Sequence, residues 1–159
     1  NQTTNNVTLY RQRAGGFDPP ETYNAFASVS AFAQGFLGGD SRVDLLAVSL
    51  TGVVAMLGHP NFTLVAPTSW PAGSTPTRIA SGDLNGDGLS DVAVLNVGEN
   101  WLAVLIARPQ GGFFAPDFVS LPTQPSDVAM ADVDGDNVRD LVVTTQHPYA
   151  SSLSFIHNR

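Results

Sequence analysis

Cysteine is absent from this chain, and so is lysine. Without thiols there can be no disulfide, no thiolate nucleophile and no cysteine-bound zinc, although the compartment is left open. The only basic residues are seven scattered arginines, set against fourteen carboxylates, for a net charge of −7 and an isoelectric point near 4.5. That balance leaves no basic patch for nucleic acid or an anionic membrane, so neither is expected as a partner. Long apolar runs are missing too. The longest, from Trp101 to Ala107, is far too short to cross a bilayer, and no apolar h-region of a signal peptide is visible among the first residues. Glutamate occurs only at Glu21 and Glu99, and the three histidines, His59, His147 and His157, show no metal-ligand spacing. There is no nucleophile elbow and no phosphate-cradling loop opening a helix. The chain is therefore expected not to be an enzyme.

What remains is apolar enough to fold, with 43% hydrophobic and 13% charged residues over 159 positions. Half of the acidity is concentrated in two places. Seven of the fourteen carboxylates lie in two nine-residue segments, Asp83 to Asp91 and Asp132 to Asp140. In the first, side-chain oxygens stand at Asp83, Asn85, Asp87 and Asp91; in the second, at Asp132, Asp134, Asp136 and Asp140. Positions 1, 3, 5 and 9, with the backbone carbonyls of Leu89 and Val138 at position 7, supply the oxygen-rich shell that calcium prefers. Two Ca2+ sites are predicted, which would move the net charge from −7 to −3 (two divalent ions add four).

An EF-hand shares the first half of this pattern but needs a glutamate at position 12 and flanking helices. Position 12 is Val94 in one copy and Val143 in the other, and each loop runs into a β-branched segment that reads as a strand. The plainer alternative is a pair of Asx-rich turns without metal. Against it stand four carboxylates within nine residues of the second copy, a repulsion that a divalent ion relieves.

The loops belong to a longer repeat. Forty-seven residues before the first stands a degenerate copy, Phe36 to Asp44, with Phe36 at position 1, Gly38 at position 3 and Arg42 at position 7, for which weak calcium binding or none is expected. Pro20, Pro67 and Pro116 align, as do Gly15-Gly16-Phe17 and Gly111-Gly112-Phe113. The segments starting at Val7, Val54, Ala103 and Leu153 align at successive offsets of 47, 49 and 50. Each unit reads as four short strands with no helical periodicity, the composition of a propeller blade. The fold class expected is all-β, with four-stranded antiparallel blades of a partial or oligomer-completed β-propeller. Residues 1–27 end a preceding blade, 28–74 form repeat 1, 75–123 repeat 2, and 124–159 an incomplete repeat 3 lacking its outer strand.

The acidic loop between strands, followed by a Gly-Gly-Phe-x-x-Pro element, resembles the FG-GAP/VCBS repeats of integrin-α-like calcium-binding propellers. The resemblance covers nearly the whole chain. It implies a secreted, extracellular module, its loops stabilised by calcium, with a structural, cell-adhesion or protein-interaction role toward a protein or glycan ligand. Relatives that are lectins, or parts of polysaccharide-degrading enzymes, supply two alternative functions. Three repeats are too few to close a ring alone, so self-association through unpaired blade edges is expected, or a place in a larger ring. Trp70, in a turn-rich stretch, is a candidate for stacking on a sugar ring, or else packs between blades; Trp101, opening an apolar strand, is expected in the core. Three sequons make Asn1, Asn6 and Asn61 candidate glycosylation positions should the source be a eukaryotic secretory pathway.

Overall fold

A computed structural model describes residues 6–24, 28–50, 52–59, 68–121, 125–146 and 152–156. Every element among them is a β-strand. Strands β5 (Ala31–Gly35), β6 (Asp44–Ser49), β7 (Gly52–Met56) and β8 (Thr68–Trp70) form one antiparallel meander in the order 5-6-7-8. Strands β9 (Pro76–Gly82), β10 (Asp91–Asn96), β11 (Trp101–Leu105) and β12 (Asp117–Ser120) repeat that order in a second sheet. A third sheet holds β13 (Pro125–Ala131), β14 (Asp140–Thr145) and β15 (Ser152–Ile156). Ahead of these, β1 (Asn6–Leu9) pairs with β4 (Glu21–Asn24), and a small hairpin of β2 (Gln12–Arg13) and β3 (Gly16–Phe17) lies between them. These are the sheets of propeller blades: β5–β8 form the first blade, β9–β12 the second and β13–β15 the third, and β1 with β4 represents the outer two strands of a blade before them.

The second strand of each blade explains the apolar runs. All six residues of β10 are buried, because both faces of its sheet are covered. Val92 and Val94 enter a cluster with Leu46, Val48 and Val53 of the preceding blade. Ala93 and Leu95 enter another with Leu141 and Val143 of the following one. A strand buried on two sides loses the polar-apolar alternation that a one-sided strand keeps. Each of these valines and leucines contributes about 1.5–3 kcal/mol by leaving water. Polar groups at the strand ends fix the connections. The Asn96 side chain donates to the carbonyl of Ala72 at 2.7 Å and accepts from the Thr75 amide at 3.3 Å, tying down the link between blades.

The third strands depart from the simple repeat alignment. Val94 faces Ala103, but Val143, its equivalent, faces Ser154, so the counterpart of Ala103 is Ser154 and not Leu153. The cause is loop length: residues 146–151 join β14 to β15, against 97–100 for β10 to β11. Likewise Val7 pairs with Tyr23 as Leu102 pairs with Val119, which makes Val7 the counterpart of Leu102 once Pro20 and Pro116 are matched. A slip of one residue exchanges the faces of a strand. Leu153 and Phe155 consequently lie on the far side of the last sheet, 52% and 47% exposed, while Ile156 packs toward the second blade.

Candidate metal loops between the first two strands

Each acidic loop connects the first strand of a blade to the second, and the two intact copies fold alike. Asp83 curls over its own loop, one carboxylate oxygen accepting from the Gly86 amide at 2.7 Å and the other from Gly88 at 2.8 Å. Asp132 does the same with Gly135 at 2.7 Å and Asn137 at 2.9 Å. Such a curl needs left-handed backbone at positions 4 and 6, and there φ is +78° and +82° at Gly86 and Gly88, and +83° and +68° at Gly135 and Asn137. Glycine adopts this conformation freely, and asparagine is among the few other residues that do. Position 5 closes the loop: Asp87 accepts from the Leu89 amide, and Asp136 from the Val138 amide, both at 2.8 Å.

The loops differ in charge. In the second one, Asp132, Asp134 and Asp136 are all exposed and each offers an oxygen within 4.8 Å of the others, a spacing that one hard cation can bridge. In the first, Asn85 replaces the middle carboxylate and donates to Asp87 at 3.1 Å. At position 7, the Leu89 side chain is buried between blades whereas Val138 lies at the surface.

Position 9 carries a further task that its residue type alone did not reveal. Asp91 and Asp140 are 0% and 1% exposed. Asp91 accepts from the Leu84 amide at 2.9 Å with one oxygen and from the Ala107 amide at 2.8 Å with the other, so it clamps the start of the loop to the end of the third strand. Asp140 receives the Val133 amide at 3.1 Å. Burial pushes the Asp91 carboxyl above the ordinary carboxylate range, only partly offset by the two amides.

The degenerate loop keeps the clamp and alters the rest. Asp44, 1% exposed, accepts from Leu37 at 2.6 Å and Gly58 at 2.7 Å, and its carboxyl is pushed up by burial in the same way. With Phe36 and Gly38 at positions 1 and 3, the left-handed residues shift to Gly38 and Gly39. Asp40 then takes both the Arg42 amide at 3.0 Å and the Arg42 guanidinium at 2.7 Å, and these bonds hold its carboxyl below the usual range. A tethered cation occupies this loop.

Of the other residues singled out by sequence, Trp70 is half-buried and meets Phe113 of the next blade edge to face, ring centres 5.2 Å apart. Trp101 is 38% exposed, not in the core: it opens β11 opposite Asn96, at the rim of the sheet. Asn6 is exposed on β1, while Asn1, Asn61, His147 and His157 lie outside the described residues. Sequence reasoning passed over Ser90, and it placed Asp44 at position 9 of the degenerate loop without giving it a role. The only signal for Asp44 was its place at position 9 of a loop lacking its other ligands.

Residues 37–94 and 83–143 match the FG-GAP-like repeat, together spanning more than half of the chain. The chain belongs to the FG-GAP-like repeat family. No curated protein matches it. Among solved structures, this FG-GAP-like chain is similar to part of the Photorhabdus luminescens Tc holotoxin pore, at TM-score 0.62 and 20% identity, covering 98% of this chain and 8% of that one. It is also similar to part of the TcdB2-TccC3-Cdc42 structure, at TM-score 0.52 and 22% identity, covering 77% of this chain and 6% of that one. The chain thus spans less than a tenth of the length of either. At these identities the likeness is one of fold.

Proposed function

We propose that this FG-GAP-like chain is a calcium-stabilised, non-catalytic β-propeller segment that works outside cells as a structural and protein-interaction module. The observation that carries the reading is the exposed carboxylate group of Asp132, Asp134 and Asp136 on a loop already curled by its own backbone amides. Three like charges this close repel one another in the absence of a cation. A divalent ion would remove that repulsion and tie β13 to β14. Loops of this openness suit the millimolar calcium found outside cells, where modules commonly bind in the range of about 10⁻⁴ to 10⁻³ M. Asp83, Asn85 and Asp87 would hold a second, weaker ion. The fold likeness to parts of much larger assemblies is in keeping with a scaffolding role. A sugar-stacking role for Trp70 draws no support from a ring packed on Phe113.

The test is isothermal titration of the chain with calcium chloride, beside a variant carrying Asp132→Asn, Asp134→Asn and Asp136→Asn. Two equivalents for the native chain and one for the variant are expected. No heat and no rise in Tm with calcium would remove the proposal.

A further inference from the structure

Asparagine followed by glycine is a chemically labile step in a chain. The side-chain amide carbon lies within reach of the next backbone nitrogen, and glycine has no Cβ to obstruct the approach. Of the ten asparagines, Asn85 alone precedes a glycine. It stands at position 3 of the first acidic loop, and both Asn85 and Gly86 are exposed. Its counterpart in the second loop is Asp134, so a single amide nitrogen in place of a carboxylate oxygen separates the two sets of side-chain ligands.

Three hydrogen bonds tie down the groups that would react. The Gly86 amide donates to Asp83 at 2.7 Å, the Asn85 side-chain oxygen accepts from the Asp87 amide at 3.0 Å, and the Asn85 side-chain nitrogen donates to the Asp87 carboxylate at 3.1 Å. The attacking nitrogen is thus engaged by one aspartate and the amide under attack by another. All three bonds are exposed and local to the loop, the kind that opens without unfolding of the blade.

We propose that Asn85 is a deamidation site, gated by the curl of its loop, whose product recharges the first calcium shell. When the loop opens, the Gly86 nitrogen attacks the Asn85 side-chain carbon and forms a new C–N bond. The side-chain nitrogen is expelled and leaves with the Gly86 proton as ammonia. Water then opens the five-membered imide at one of its two carbonyls, so one water is consumed, one ammonia is released and no oxidant is needed. One opening leaves an aspartyl residue, and the oxygens at positions 1, 3, 5 and 9 then match those of the second loop in chemistry. The other leaves an isoaspartyl linkage, which adds a methylene to the backbone and breaks the curl. The reaction needs no ion, whereas its effect on calcium rests on the role proposed above for this loop.

The test is peptide mapping by mass spectrometry of the full chain held at neutral pH in urea, in chelator and in calcium. Deamidation at Asn85 is expected to be about tenfold slower in chelator than in urea, because the folded loop must first open, and slower again in calcium. Asp83→Ala frees the Gly86 amide and is expected to bring the rate in chelator toward the rate in urea, with a native circular dichroism spectrum. Equal rates for the native chain in chelator and in urea would overturn the gating. No product at Asn85 in chelator once the urea sample has converted would overturn the site, and neither comparison needs a variant. Asn85→Asp reproduces the aspartyl product and is read by calorimetry beside its parent, the chain carrying Asp132→Asn, Asp134→Asn and Asp136→Asn, in which only the first loop is intact. Several-fold tighter calcium binding than the parent is expected, and unchanged binding would overturn the recharging. A native chain that takes up no calcium would remove the role proposed above, while the comparison of urea with chelator would still decide the deamidation.

Discussion

Ser90 and Phe36 are bonded to each other twice across the boundary between two blades. The Ser90 amide donates to the Phe36 carbonyl at 2.9 Å, and the Phe36 amide donates to the Ser90 hydroxyl at 2.9 Å. The eighth residue of one acidic loop therefore grips the first residue of the loop before it. Gly35 makes the approach feasible, for a Cβ there would sit 2.7 Å from the Ser90 Cβ.

Ser90→Ala leaves the Phe36 amide without its partner and is expected to cost about 1–3 kcal/mol of unfolding free energy. Gly35→Ala should cost more, since the clash is with a Cβ that alanine at position 90 retains. Ser90→Gly in the Gly35→Ala background should recover part of that loss, a coupling between neighbours that urea denaturation of the four chains would measure. Simple additivity would count against the contact.

The carboxylate group of the third blade predicts effects of opposite sign in two buffers. In chelator, Asp134→Asn relieves repulsion and should be neutral or slightly stabilising. In calcium it replaces a charged ligand by a neutral one, as Asn85 is in the other loop, and should weaken the site proposed to be the tighter. At free calcium ten times the Kd, an intact site adds about 1.4 kcal/mol to the folded state, and thermal melts at graded calcium would show that increment shrink in the variant.

Asp44→Ala should be destabilising to the same degree with or without calcium. It leaves the Leu37 and Gly58 amides unpaired, at about 1–3 kcal/mol for each buried amide. The native carboxyl also gives a pH signature. Because burial raises its folded pKa, the stability it contributes is fully present below the unfolded pKa and is lost as pH rises through the folded value. The native chain should therefore lose stability relative to Asp44→Asn as pH climbs out of the ordinary carboxylate range, measured by denaturation in chelator. A difference that grows in favour of the native chain would refute this account.

Phe113→Ala should cost about 3–5 kcal/mol, as removal of a fully buried phenylalanine does. It should also change the emission of Trp70, read in a Trp101→Phe background because the chain has two tryptophans. An unaltered spectrum would place the indole elsewhere.

Much of this was legible in the residues. Alternating Asp, Asn and Gly followed by β-branched runs located β9, β10, β13, β14 and the loops between them, because turn chemistry and strand propensity are local properties. Local signals did not reach the clamp, whose parts come together only in the fold: Asp91 meets an amide 16 residues away, and Ser90 meets Phe36 at 54. The slip in the third strands was hidden for another reason. The loop before β15 is two residues longer than its counterpart, and an alignment that allows for only one of them puts every side chain of the strand on the wrong face. Trp101 was misplaced because an apolar strand says nothing of which end lies at the rim.

The clamping aspartate separates two things that the loop sequence presents as one. In the first blade, positions 1 and 3 have lost their oxygens and an arginine has moved in, yet Asp44 still holds Leu37 and Gly58, and β5 and β6 still pair in register. The strand register of this blade thus does not depend on oxygens at positions 1 and 3. If the two intact loops bind calcium as proposed, the ion is an addition made loop by loop to blades whose strand register is already held by an aspartate.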